Sequence, residues 1–137
     1  MIQQGLGPGG TTYSRILQWT WHKDLVGALF TPAAALIVVP GHFGGYVVSN
    51  NSGVALWFQG FDSATPVVNG AVPNIHDDLI PPGGAASVGL DLGDDGQEFT
   101  KGYVWAWSTT MATLTLPTFA TGLVNTRVKY SPTAKVG

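Results

Sequence analysis

The sequence predicts an all-β protein, an antiparallel β-sandwich of jelly-roll-like type with about seven or eight strands. Three observations carry that expectation. Short runs of β-branched and aromatic residues recur along the chain, several with apolar and polar positions alternating at period two. Clusters of Gly, Pro, Asn, Asp and Ser separate them at intervals of roughly eight to twelve residues. No helical periodicity outlasts its prolines: Ala33, Ala34, Ala35 and Leu36 would suit a helix, but Pro32 stands before them and Pro40 ends the run within about two turns. A chain of 137 residues is one domain's worth and can bury roughly two thirds of its unfolded surface.

In chain order, residues 1–12 carry four glycines, one proline and two glutamines, a composition too sparse in apolar area to offset ordering, which predicts an extended N-terminal arm. The single domain then spans 13–130, with 131–137 as a C-terminal tail. From Arg15 the residues Ile16, Gln18, Thr20 and His22 alternate with Leu17, Trp19 and Trp21, a first strand. Residues 44–64 give the clearest hairpin signal: Tyr46, Val47 and Val48 run into Asn50-Asn51-Ser52-Gly53, and residues 54–61 return as a second strand. In that return Ala55, Trp57, Gln59 and Phe61 share one face, and Val54, Leu56, Phe58 and Gly60 the other. Both faces are largely apolar, so both need cover, from a second sheet or from a neighbouring subunit.

Asn69-Gly70 marks the next turn, residues 74–79 a surface loop, and Ile80-Pro81-Pro82-Gly83-Gly84 an extended connection. Residues 85–92 alternate as a strand wet on one side, with Val88, Leu90 and Leu92 opposed to Ser87, Gly89 and Asp91. Gly93-Asp94-Asp95-Gly96 reads as a polar hairpin tip. Residues 99–107 and 111–116 form two further β-rich runs joined by Ser108-Thr109-Thr110, and residues 124–130 alternate as the last strand.

Composition narrows the function classes. Charged residues are 10% of the chain against roughly a quarter in typical soluble proteins. So much of the exterior is uncharged, which suits an assembly. The six Lys and Arg are dispersed in sequence and the net charge is −2, which argues against direct nucleic-acid binding. With no cysteine there are no disulfides, thiolate metal sites or cysteine nucleophiles. No signal peptide is legible at the start, and the longest apolar stretch, 33–39, is far too short to cross a bilayer. Assembly in the cytoplasm is the expectation that fits.

Candidate chemistry is sparse. His76-Asp77-Asp78 reads as a solvated loop, because neighbours on extended chain point apart. Asp91, Asp94, Asp95 and Glu98 offer oxygen ligands for Ca²⁺ at a spacing unlike the EF-hand loop. Asp62 and Glu98 could form a carboxylate pair, but no nucleophile elbow or phosphate loop accompanies them. The expectation is no catalytic residue, no metal and no cofactor. The tryptophans are the remaining signal: Trp19 and Trp21 share a face, as do Trp105 and Trp107. If exposed they form a platform for sugars; if buried they pack a core or a subunit interface. Trp19, Trp21, Trp57, Phe58, Trp105 and Trp107 are accordingly the candidate interface residues.

One further pattern runs through the middle of the chain: Val48-Ser49-Asn50 with Ser52-Gly53, Phe61-Asp62-Ser63-Ala64, Asn69-Gly70-Ala71-Val72-Pro73, Phe99-Thr100-Lys101-Gly102, Ser108-Thr109-Thr110 and Thr113-Leu114-Thr115. In this order and spacing the pieces resemble a family of small β-sandwich structural proteins encoded by tailed bacteriophages and prophages. The resemblance covers roughly residues 45–116. It implies a virion component, a capsid decoration or cement protein that binds the major capsid protein as a homo-oligomer, with a trimer expected. A neck or tail accessory protein would share the fold, and a carbohydrate-binding module is the reading from another class. The resemblance brings no catalytic or cofactor residues.

Overall fold

A computed structural model of the chain describes residues 18–24, 29–83, 87–120 and 123–132. The expected arm at 1–12, the start of the first strand before Gln18, and the tail beyond Pro132 lie outside these residues. The described chain forms eight strands: β1 (Thr20–Asp24), β2 (Gly41–Asn50), β3 (Leu56–Asp62), β4 (His76–Ile80), β5 (Val88–Asp91), β6 (Gln97–Phe99), β7 (Tyr103–Ser108) and β8 (Val124–Ser131). They build two antiparallel sheets. One has the order β1-β8-β2-β5, with β6 also on β2; the other has the order β4-β3-β7. Segment 33–36 is not helical, and Ile37 forms an isolated bridge to Tyr103.

The main departure from expectation is at residues 44–64. β2 and β3 do not pair; they lie in different sheets, so the predicted hairpin is an arch that carries the chain across the sandwich. Asn50 explains the outcome. Buried at the end of β2, its Nδ2 donates to the carbonyls of Val54 (2.7 Å) and Ile80 (3.0 Å), and its Oδ1 accepts from the Ser52 N–H (2.9 Å). The Asn50 carbonyl also accepts the Gly83 N–H (3.1 Å), so one residue fastens both the β2–β3 and the β4–β5 crossings. Turn-forming residues mark where a chain bends, but the same residues serve a hairpin and an arch.

Four smaller corrections follow. Residues 74–79 are no surface loop: β4 occupies most of them and brings His76 into the interior. Gly93–Gly96 is no hairpin tip, because β5 and β6 both run antiparallel to β2, with Asp91 opposite Gly45 and Gln97 opposite Phe43. The turn is an excursion from one interrupted strand, facing the register shift in β2 between Phe43 and Gly45. Residues 111–116 are a folded loop and not a strand, organised by Ser108, whose Oγ accepts from the N–H groups of Thr110 (3.0 Å) and Thr115 (2.9 Å). Ser131, expected in the tail, closes β8 and is buried.

The main core lies between the sheets. Phe43, Tyr46, Val48, Val124 and Val128 from the five-stranded sheet meet Leu56, Phe58, Ile80, Tyr103, Trp105 and Trp107 from the other. A second, smaller cluster of Phe61, Val104, Ala106 and Leu114 covers the outer face of the three-stranded sheet, with Val67 and Ala71 packed on it. The chain's own loops thus supply the second cover that the two-sided apolar β3 demands.

Candidate functional site

The six aromatic candidates separate into three groups. Phe58, Trp105 and Trp107 are wholly buried, so they are core residues and unavailable as interface anchors or as a sugar platform. The physical reason is the sandwich: the face of β7 that carries both tryptophans is the face turned to the other sheet. Trp107 Nε1 donates across it to Thr126 Oγ1 (3.1 Å), whereas Trp105 Nε1 has no hydrogen-bond partner among the described residues. Trp57 is half-buried on the outside of the three-stranded sheet. Trp19 and Trp21 stand on the open outer face of the five-stranded sheet, Trp21 with 45% of its surface exposed.

Around Trp21 the register collects residues that are far apart in sequence. β1 pairs with β8 so that Trp21 lies opposite Lys129 and Lys23 opposite Arg127; β8 and β5 flank β2 so that Val47 sits between Arg127 and Gly89. Three of the chain's six Lys and Arg side chains therefore meet on one face, although the sequence reads as dispersed. The signal was present in the alternation: Trp21 and Lys23, and Arg127 and Lys129, are two apart on strands and so share a face. Two shallow pockets adjoin there. One, of about 290 Å³, is lined by Trp21, Lys23, Val47 and Arg127. The other, of about 270 Å³, is bounded by Trp21, Tyr46, Val47, Leu90, Asp91 and Lys129 over Gly89.

Lys129 is already committed. Its Nζ lies 3.3 Å from Asp91 Oδ1 and 5.3 Å from the centre of the Trp19 ring. Asp91 is held below the usual carboxylate range by the Gly93 N–H and then by Lys129. The Trp19 ring fits because residue 44 is glycine: a Cβ there would stand 2.6 Å from the ring.

The His76, Asp77 and Asp78 side chains do alternate, but in a strand. His76 is enclosed between the sheets, stacked on Phe43 with ring centroids 4.8 Å apart. Its Nδ1 is 3.0 Å from the Phe58 carbonyl, which only accepts, so Nδ1 carries the proton; Nε2 then accepts from the Tyr103 hydroxyl at 2.7 Å. This is a fully used neutral imidazole, and burial pushes its pKa down to about 4 against the opposing pull of the Phe58 carbonyl. Gly60 permits the arrangement, since any Cβ there would collide with the imidazole. Asp78 accepts from the Tyr46 hydroxyl at 2.8 Å, and burial first, then this carboxylate, raises the Tyr46 pKa. Asp77 faces the other way and holds the Ala112 N–H (2.8 Å) and Gln59 Nε2 (3.0 Å), fixing the covering loop.

Two of the carboxylates considered for catalysis or calcium, Asp62 and Asp91, are taken up by structural partners. Asp62 accepts the backbone N–H groups of Thr100, Lys101 and Gly102 and the Thr100 hydroxyl, clasping the β6–β7 crossing. Burial alone would raise its pKa, but these donors together hold it below its ordinary value. Among the described residues no group of three or more His, Cys, Asp or Glu side chains is placed to hold a metal ion. Among the described residues no helix is long and apolar enough to cross a membrane.

A scan against protein-family models and searches of curated proteins and of solved structures gave no match. The two-sheet β-sandwich class therefore stands on the chain's own strands and pairing.

Proposed function

We propose that the protein is a structural component of a bacteriophage virion, a capsid decoration or cement protein that binds as a homotrimer between major capsid subunits on the head surface. The observation that carries the reading is the asymmetry of the sandwich: one sheet is covered by its own loops, and the other offers an open face with Trp21, Val47 and clustered cations. A cementing protein works by area and complementarity, and needs an exposed, partly apolar face more than a reactive group. The low charge content and the resemblance of residues 45–116 to phage structural proteins support the same reading. Of the aromatic candidates, Trp19 and Trp21 on the five-stranded sheet and the half-buried Trp57 are the ones placed to contribute.

The test pairs light scattering of the purified protein with sedimentation against expanded phage heads that lack it. A trimer that sediments with heads, and fails to do so when Trp21 is replaced by Ala, is the expected result. A monomer that ignores heads would sink the cement reading and move the protein to the neck or tail.

A further inference from the structure

The pair Lys23 and Arg127 breaks a rule that strand pairing normally obeys. The two side chains stand directly opposite each other on β1 and β8, on the open face. Like charges in that position repel and cost stability, and among the described residues neither has a carboxylate partner. Lys129, one register step away, shows what a satisfied cation on this face looks like, paired with Asp91. The chain has more acidic than basic residues, yet among the described residues no carboxylate is placed against Lys23 or Arg127. Uncompensated local cost of this kind is characteristic of binding sites, where a ligand supplies the missing partner.

The surroundings define the ligand. The cations flank a pocket whose wall is the Trp21 indole and whose floor is Val47. Across Trp21 the second pocket lies over Val47 and Gly89 and has a polar rim of Asp91 and Lys129. An indole between two shallow, ring-sized depressions presents a flat face for the C–H side of a pyranose. The rims offer charge-assisted hydrogen bonds, to a carboxylate on one side and to hydroxyls on the other. We propose that this face binds an acidic oligosaccharide, with one uronate carboxylate between Lys23 and Arg127 and the ring face and hydroxyls of the adjoining residue on Trp21 and in the Asp91–Lys129 pocket. This goes beyond the virion role and does not depend on it; both would use the Trp21 face and so compete for it, and head binding and saccharide binding are separate measurements.

The experiment is a titration of the full chain's tryptophan fluorescence with trigalacturonate, with maltotriose as the uncharged control and triglutamate as the acidic peptide control. Trigalacturonate is expected to give a saturable change whose affinity falls as salt is raised. Maltotriose and triglutamate are each expected to bind at least about tenfold more weakly, a difference of about 1.4 kcal/mol. Lys23→Gln and Arg127→Gln should each weaken trigalacturonate binding by about tenfold or more. Trp21→Phe should remove most of the signal, with an unchanged thermal melt showing that the fold is kept. No saturable response of the unmodified chain to trigalacturonate overturns the proposal, as does a response that the three substitutions leave intact. Equal binding of triglutamate overturns it too, and would assign the face to an acidic protein partner; equal binding of maltotriose removes the role given to the cations.

Discussion

The two sheets of this sandwich are built to different ends. In the three-stranded sheet the inner face is packed and loops cover much of the outer face, leaving Leu79 exposed and Trp57 half-buried, and most polar groups set there are tied: His76 to Phe58 and Tyr103, Asp78 to Tyr46, Asp77 to Gln59 and Ala112. Among the described residues the five-stranded sheet is packed on its inner face, and its outer face carries little beyond the Trp19 ring over Gly44. Its outer face keeps a large aromatic half in solvent and two cations opposed. The difference separates the part of the chain that holds the fold from the part free to meet a partner, and substitutions should divide along the same line.

The largest effect is expected from Trp107→Ala, which empties a fully enclosed site and strips Thr126 of its donor. A loss of about 3–5 kcal/mol in urea unfolding is expected, whereas Trp21→Ala on the open face should change stability by no more than about 0.5 kcal/mol. Comparable losses at the two sites would erase the division.

Acid should act through the covered sheet. The folded His76 pKa of about 4 lies below its ordinary value of 6.5. The imidazole therefore contributes stability that is fully present above pH 6.5 and is lost as pH falls toward 4, when the unfolded chain takes up a proton and the folded chain does not. The loss over that window is up to about 3 kcal/mol. Urea midpoints that stay level between pH 7 and pH 5 would contradict this account of His76.

Asn50→Ala removes two buried donor contacts at the arch and is expected to cost about 2–3 kcal/mol. Hydrogen exchange should accelerate more at Ser52, whose N–H loses its side-chain acceptor, than at Gly83, whose acceptor is the backbone carbonyl of residue 50 and remains; equal acceleration at both would show that the two crossings open together.

A finer contrast lies within β7. Trp107→Phe leaves Thr126 unpaired, whereas Trp105→Phe removes an N–H that has no partner, so the second should be better tolerated by about 1–2 kcal/mol. Equal unfolding midpoints for the two variants would mean that the Trp107–Thr126 bond contributes nothing net. The smallest effect belongs to the open face: Lys23→Glu replaces repulsion with attraction opposite Arg127 and should stabilise by about 0.2–1 kcal/mol, less at high salt. Destabilisation by that change would remove the argument from unrelieved charge.

Much of the fold was legible in the sequence because strand formation is local. Period-two alternation predicted strands at 85–92 and 124–130, where Val88–Asp91 and Val124–Ser131 form, and the two-sided apolar run at 54–61 announced the strand Leu56–Asp62. The site was less legible. Arg127 and Lys129 pointed to one face by their spacing, but Lys23 joins them only through a pairing between strands separated by about a hundred residues.

Composition and alternation by themselves determined an all-β chain, its approximate strand count and the need to cover both faces of β3, since these follow from backbone geometry and side-chain polarity at neighbouring positions. Tertiary structure alone decided that residues 50–55 form an arch, that His76 is buried and that Trp105 and Trp107 are core. It also decided that the cations gather beside Trp21. Partner choice among strands is a contest between distant segments for hydrogen bonds and cover, and a turn signal or a single tryptophan carries no record of which segment wins.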